Sequence, residues 1–227
     1  MLGPPGAGKG TQGSRLAARW AVPHIATGDI LRRAITGTKE SALARAARVI
    51  REGHLIPDDL ANEILFEELA HRPEAQSGWV LDGYPRTVAQ AVALDGFLQV
   101  RDEAVDAVLA LQISEPAIIS RLTGRLTCLQ CGATFHQWNE PPRTPGVCDV
   151  CGGELTVRED DREDRIRLRL ALYREWTEPL AAHYHQAGLL RAVAAGGREE
   201  EVFRNCLDAM QLPADSRGGE PGESLVL

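Results

Sequence analysis

Lysine is nearly absent from this sequence: of 25 basic residues only Lys9 and Lys39 are lysines, and the rest are arginines. Lys9 is therefore an exception to the chain's own habit. No run of about 18 apolar residues occurs, so no helix is expected to span a membrane. The opening Met1-Leu2-Gly3-Pro4-Pro5 lacks the basic flank and apolar stretch of a secretory signal, and a cytoplasmic location is expected. An excess of positive charge is missing as well. With a net charge of −7 the chain has no general basic face for displacing the counterions of DNA or RNA. No nucleic-acid partner is expected, and any polyphosphate ligand must be held by a local group of cations. Five cysteines are too few and too oddly numbered for a disulfide framework, but four of them fall in two tight pairs. That pattern suits a reducing compartment and a metal.

The 227 residues, 44% hydrophobic and 25% charged, suffice for one domain with insertions or for two small ones. Glycine and proline in Gly3-Pro4-Pro5-Gly6-Ala7-Gly8 mark a loop, followed by a helix over Thr11–Trp20. His24-Ile25-Ala26 predicts a short buried strand, Thr27-Gly28-Asp29 a cap, and Ile30–Ile35 the start of a helix. Helices are predicted from about Glu40 to Arg51 and from about Asp58 to His71, the second with Asp58 and Asp59 at its positive end. Trp79-Val80-Leu81 predicts a strand closed by Asp82-Gly83. A helix over Thr87–Val100, a strand over Ala104–Ile113 and a helix over Glu115–Leu122 follow. Short apolar strands alternating with helices predict an α/β fold with a parallel sheet. The alternation stops between about Arg125 and Arg158, where Gly, Pro, Cys and Thr dominate and a small inserted module is expected. Helix resumes from about Asp160 to Gln186, then a strand at Leu189–Val193 and a helix at Glu199–Met210. The tail, residues 213–227, has too few apolar residues to fold and is expected to be disordered.

Gly3-x-x-x-x-Gly8-Lys9-Gly10-Thr11 has P-loop spacing, in which backbone N–H groups surround a phosphate, the next helix adds its positive end and the lysine reaches the β and γ phosphates. The hydroxyl usually found next to the lysine is displaced by one position, from Gly10 to Thr11. Only Met1 and Leu2 precede the motif, where a P-loop fold needs a strand of about five or six residues. Either translation starts further upstream or the first strand is short.

Two later segments sharpen the reading. Thr27-Gly28-Asp29 precedes Arg32, and Asp82-Gly83-Tyr84-Pro85-Arg86-Thr87 is followed by Gln90. With Gly6-Ala7-Gly8-Lys9-Gly10-Thr11, these segments resemble the adenylate kinase family of nucleoside monophosphate kinases, in order and spacing over residues 1 to 210. The resemblance implies a P-loop NTPase fold with a five-stranded parallel sheet, its core formed by residues 1–124 and 159–212. It further implies a helical monophosphate-binding insertion at 26–55 and a mobile lid at 125–158. The implied reaction is ATP plus AMP to two ADP with Mg²⁺, in a monomer.

Transfer of a phosphoryl group needs in-line positioning and positive charge spread over oxygens, a task suited to the planar guanidinium. By the resemblance, Arg32 and Arg86 hold the AMP phosphate, Thr27 and Gln90 meet its adenine, and the backbone at His54, Leu55 and Ile56, with Gly83, Tyr84 and Pro85, completes the pocket. Asp82, after an apolar run, suits Mg²⁺ held through water. Arg121 and Arg125, four apart, are expected on one helical face. These two, with Arg158 and Arg169, match the family's lid arginines. Thr134 and Phe135 match positions that contact the ATP base, and Gly197 lies where the base contact after the last strand is expected.

Cys128-x-x-Cys131 and Cys148-x-x-Cys151 form two knuckles with the spacing of a structural zinc site of four thiolates. A disulfide pair is the alternative, disfavoured by a reducing compartment. With four protein ligands no position stays open, so the metal braces the lid and takes no part in chemistry. His136 is expected at the surface, and Cys206 as a buried apolar residue. One departure stands out. Where relatives carry Asp-Gly after the last strand, this chain has Val193-Ala194-Ala195-Gly196-Gly197, which predicts a looser purine preference for the donor. Two competing readings remain at this level: a UMP/CMP or GMP kinase, and a zinc-ribbon nucleic-acid-binding ATPase, against which the acidic charge speaks.

Overall fold

The computed structural model describes residues 1–28, 30, 42–51 and 56–211. Helix α1, Lys9–Trp20, leads to strand β1, His24–Ala26. Helices α2, Ala42–Arg51, and α3, Asp58–Ala70, precede strand β2, Val80–Asp82. Then come α4, Val88–Gln99; β3, Val108–Gln112; and α5, Glu115–Thr123. Short strands β4, Arg125–Cys128, β5, Thr134–His136, and β6, Leu155–Thr156, make up the inserted module. The chain closes with α6, Glu163–Leu172; α7, Pro179–Gln186; β7, Leu190–Ala194; and α8, Glu199–Gln211.

Two parallel pairs form the core: β1 with β2, and β3 with β7. Between them lie Met1 and Leu2. The Met1 amino group donates to Leu81 O at 2.7 Å on one side. On the other, Leu2 N donates to Leu109 O at 2.8 Å and Leu2 O accepts from Leu111 N at 2.9 Å, a parallel bridge opposite Ala110. The expected five-stranded sheet is thus seen as two parallel pairs joined through Met1 and Leu2, because the two residues before the loop are too few to form a strand ladder of their own. A cavity of about 620 Å³ adjoins it, lined by Met1, Val22, Val80, Asp106, Val108 and Met210. The strand expected over Ala104–Ile113 is shortened to Val108–Gln112, the stretch that pairs with β7 from Leu190 to Ala194.

Helices cover both faces of the sheet, as a parallel sheet buried on both sides requires. Leu16, Leu111, Ile118, Ile166, Val193 and Val202 share one buried cluster. Ile25, Leu65, Leu81, Leu94 and Leu98 share a second, joining α3 and α4 to the β1–β2 pair. Helix α2 packs on α3.

The single helix expected over 160–186 is broken. Arg162 is extended, with φ −69° and ψ 143°. A π-helical turn, Tyr173–Thr177, separates α6 from α7, with Glu178 N bonded to Tyr173 O at 2.9 Å. Pro179 has no N–H to continue the α pattern, so the wider turn ends at the residue before it. Arg32, His54 and Leu55, part of the expected insertion, and the 213–227 tail lie outside the described residues.

Candidate active site

The loop between Leu2 and α1 is held open by backbone shape. Gly8, immediately before the helix, has φ 94° and ψ 15°, a left-handed conformation that side chains resist. Lys9 Nζ turns back over the loop and donates to Gly3 O at 2.8 Å and Pro4 O at 2.9 Å. Burial, opposed by the Asp82 carboxylate and aided by the charges of Arg86, Arg169 and Arg125, brings the Lys9 ammonium down to a pKa of about 8. Lys9, Arg86 and Arg169 line one cavity at this loop. Ala7 is buried in the core, while Gly10 and Thr11 are exposed on the first turn of the helix.

Asp82 ends β2 beside that turn. Its Oδ1 is buried and has no hydrogen-bond partner among the described residues. A Cβ placed on Gly10 would stand 3.6 Å from Asp82 Oδ2, so the missing side chain leaves room next to the carboxylate. An unpaired buried carboxylate oxygen facing a cationic loop is a group awaiting a ligand. It fits a hydrated divalent cation.

Beside the loop lies a cavity of about 450 Å³, lined by Lys9, Thr27, Ile56, Arg86, Gln90 and Arg169 among others. Gly83 turns the chain with φ 82°, and a Cβ there would come within 2.7 Å of Thr27 Oγ1. Thr27 Oγ1 in turn donates to Asp82 O at 3.3 Å. The Tyr84–Pro85 peptide is cis. The Tyr84 hydroxyl lies 2.6 Å from Asn62 Oδ1 and 3.0 Å from Gln90 O, and burial pushes its pKa up. Arg86 Nε donates to Gly83 O at 2.9 Å.

The four arginines expected at a lid go to separate partners. Helix α5 ends at Thr123, Gly124 follows, and Arg125 opens β4, so Arg121 and Arg125 do not share a helical face as their spacing suggested. Arg121 Nη2 donates to Gly197 O at 2.9 Å. Arg125 grips Asp161 with both arms, Nε to Oδ2 at 2.7 Å and Nη2 to Oδ1 at 2.5 Å. Arg169 Nη1 donates to Asp160 O at 3.0 Å and lies 3.6 Å from Asp161 Oδ1. Arg158 Nε donates to Thr127 Oγ1 at 2.9 Å. Thr134 is exposed, while Phe135 packs against the cluster of Cys128, Cys148 and Leu155.

In the module, β4 pairs antiparallel with both β5 and β6. The four sulfurs of Cys128, Cys131, Cys148 and Cys151 all lie within 4.8 Å of one another. Cys128 Sγ is 3.4 Å from Cys151 Sγ and Cys131 Sγ 3.6 Å from Cys148 Sγ. Tetrahedral Zn–S bonds of about 2.3 Å separate sulfurs by about 3.8 Å. A disulfide holds its sulfurs at about 2.05 Å. The thiols are free, and the cluster suits a tetrahedral metal. Backbone N–H groups, that of Cys131 foremost, lower the Cys128 pKa and favour its thiolate.

Sequence patterns missed three residues. Asp161 reads only as a neighbour of Arg158, yet its side chain is fully buried. Asp58 reads as a helix-end charge, but its carboxylate contacts Gln90 and Thr87. His136, expected at the surface, is half-buried against Gly124 with Nε2 3.3 Å from Ser120 O. Each depends on a contact across 16 or more positions, which no local pattern carries.

The family model described as adenylate kinase matches residues 1–189. An adenylate kinase of Moorella thermoacetica is 47% identical over 194 residues, covering 85% of this chain and 88% of that protein. One from Caldicellulosiruptor bescii is 44% identical over 200 residues, 88% of this chain and 91% of its own length. A third, from Syntrophobacter fumaroxidans, is 42% identical over 203 residues, with 89% and 94% covered. With a family match over most of its length and a phosphate loop, a cationic pocket and a four-cysteine module in that order, the chain belongs to the adenylate kinase family.

Proposed function

We propose that this chain transfers a phosphoryl group reversibly between MgATP and AMP, producing two ADP. The observation that carries the reading is the placing of Lys9, Arg86 and Arg169 around one cavity at the glycine-rich loop, next to the unpaired Asp82 carboxylate oxygen. Charge developing on a transferred phosphoryl group is stabilised by such a fixed set of cations.

In this reading the loop residues Gly6, Ala7, Gly8, Lys9, Gly10 and Thr11 hold the donor phosphates, and Lys9 leaves its carbonyl partners to reach them. Arg86, together with Arg32, receives the AMP phosphate, and Thr27, Gly83, Tyr84, Pro85 and Gln90 surround its adenine, with His54, Leu55 and Ile56 closing the pocket. Arg121, Arg125, Arg158 and Arg169 come to the phosphates as the lid closes; family enzymes of this kind are a standing case of turnover limited by lid motion. Thr134, Phe135 and Gly197 lie along the donor base. Asp82 would hold Mg²⁺ through its water shell, and the ion would supply positive charge to offset that of the phosphates. Cys128, Cys131, Cys148 and Cys151 would hold a zinc ion that braces the lid.

At the donor base, Gly196 and Gly197 after β7 have no side chains, and Gly197 O is held by Arg121. Discrimination between ATP and GTP is accordingly expected to be weak. The reading also carries a monomeric, cytoplasmic enzyme. Among the described residues no helix is long and apolar enough to cross a membrane.

A coupled assay with ATP and each nucleoside monophosphate in turn tests the proposal. AMP is expected to be the best acceptor; faster turnover of UMP, CMP or GMP would overturn it.

A further inference from the structure

Gln90 is 4% exposed at the edge of the 450 Å³ cavity, and its amide is held from two sides. Its Oε1 accepts from Arg86 N at 2.7 Å, and its Nε2 donates to Asp58 Oδ1 at 2.6 Å. The reversed amide is forbidden. It would press an N–H against the Arg86 N–H and a carbonyl oxygen against the Asp58 carboxylate, two repulsions where there are now two bonds. The Arg86 contact is a neutral backbone bond, whereas the Asp58 contact is charge-assisted and the stronger of the two.

Asp58 is itself anchored. It is the first residue of α3, and its Oδ2 accepts from Thr87 Oγ1 at 2.7 Å, while Thr87 Oγ1 caps α4 by accepting from Gln90 N at 3.2 Å. The carboxylate therefore ties the starts of two helices to one amide. A primary amide has two N–H donors and an oxygen with two lone pairs. With one of each engaged, Gln90 has one N–H and one lone pair left for the cavity, in an order that Asp58 dictates.

We propose that Asp58 is a positioning residue that fixes the Gln90 amide and thereby makes the acceptor pocket select a 6-aminopurine over a 6-oxopurine. This rests on the reading of the cavity as the AMP site. A 6-aminopurine edge presents a donor at the exocyclic nitrogen beside an acceptor at N1, matching the free oxygen lone pair and the free N–H. A 6-oxopurine presents the opposite order, acceptor then donor, and meets it only with the amide turned over. Asp58 borders the same cavity, and in this scheme it acts through Gln90.

The test measures kcat/KM for AMP and for IMP, which differ at the 6-position, with ATP saturating, in the parent enzyme and in Asp58→Ala and Asp58→Asn. Asp58→Ala is expected to raise KM for AMP and to lower the AMP-to-IMP ratio by about tenfold, the scale of one charge-assisted hydrogen bond. KM for ATP is expected to hold within about twofold, because ATP binds at the separate glycine-rich loop. Asp58→Asn is expected to restore most of the ratio, since its Oδ1 can accept from Gln90 while its Nδ2 faces Thr87. Where Asp58→Ala does not fold, Asp58→Ser keeps a polar helix start too short to reach Gln90, and supplies the same comparison. An unchanged ratio in a destabilised variant would overturn the inference and leave Asp58 as a helix anchor only. A parent enzyme that turns over neither AMP nor IMP overturns the AMP reading, and this inference with it.

Discussion

Arg125 and Asp161 form a two-pronged ion pair across 36 positions of sequence, with the Asp161 side chain at 0% exposure and the Arg125 side chain at 22%. Asp161 also lies 3.6 Å from Arg169, so one buried anion serves two of the arginines assigned to the phosphates. On the proposed reading, donor phosphate would compete with Asp161 for its cations, and a closing lid would exchange one anion for another.

Asp161→Ala removes that anion and leaves Arg125 without its two bonds. Breaking a buried pair from one side costs about 3 kcal/mol. For a protein of this size that lowers Tm by about 6–12 °C. The competition predicts a second effect in the opposite direction, a lower KM for ATP in the same variant. Calorimetry and initial-rate kinetics read the two separately, and a raised KM would contradict the exchange.

Lys9 supplies a pH dependence. Its pKa of about 8 lies below the 10.5 of a free lysine, so the ammonium is charged below pH 8 and neutral above. Phosphate binding needs the charge, and kcat/KM for ATP, which reports the free enzyme, is expected to be level below about pH 8 and to fall above it. The stability contribution has the reverse sign. The unfolded chain holds this proton more tightly than the folded one, so stability rises with pH between about 8 and 10.5. Lys9→Met is expected to lower kcat/KM by about 10²–10³-fold and to erase both trends.

The zinc reading predicts one zinc per chain by elemental analysis of protein purified under reducing conditions. Zinc at about 1,000 times its Kd stabilises a folded state by about 4 kcal/mol. Chelation is then expected to lower Tm by about 8 °C or more. Cys131→Ser, which alters an exposed sulfur of the cluster, is expected to reproduce the loss of metal. Absence of zinc from the parent protein sinks the assignment.

Gly83→Ala tests the acceptor pocket. The position has φ 82°, a conformation that side chains resist, and the added methyl would stand 2.7 Å from Thr27 Oγ1. Strain of this kind costs about 1–3 kcal/mol. KM for AMP is expected to rise more than KM for ATP, because Thr27 lines the acceptor cavity. An equal rise in both would place the damage elsewhere.

The sequence read well wherever one stretch carried its own signal. The glycines around Lys9 dictate a loop whatever surrounds them, and β1 appears at His24–Ala26 as its apolar run predicts. The paired cysteines converge because each CxxC knuckle is local. What it read poorly depends on distant partners. The spacing of Arg121 and Arg125 fits a helix, but Gly124 ends α5 between them. Asp58 obeys the rule for acidic helix starts, and nothing nearby announces that Gln90, 32 positions later, will take its other lone pairs.

The inserted module is entered along β4 and left along β6, and these strands are antiparallel neighbours with Thr127 opposite Thr156. Paired antiparallel residues stand only about 5 Å apart. A tight turn joining Thr127 to Thr156 would therefore close the chain with no change to the threading of the sheet. In architectural terms the module is a side branch whose stem has the footprint of a hairpin, free to be lengthened, pruned or exchanged while the trunk keeps its course.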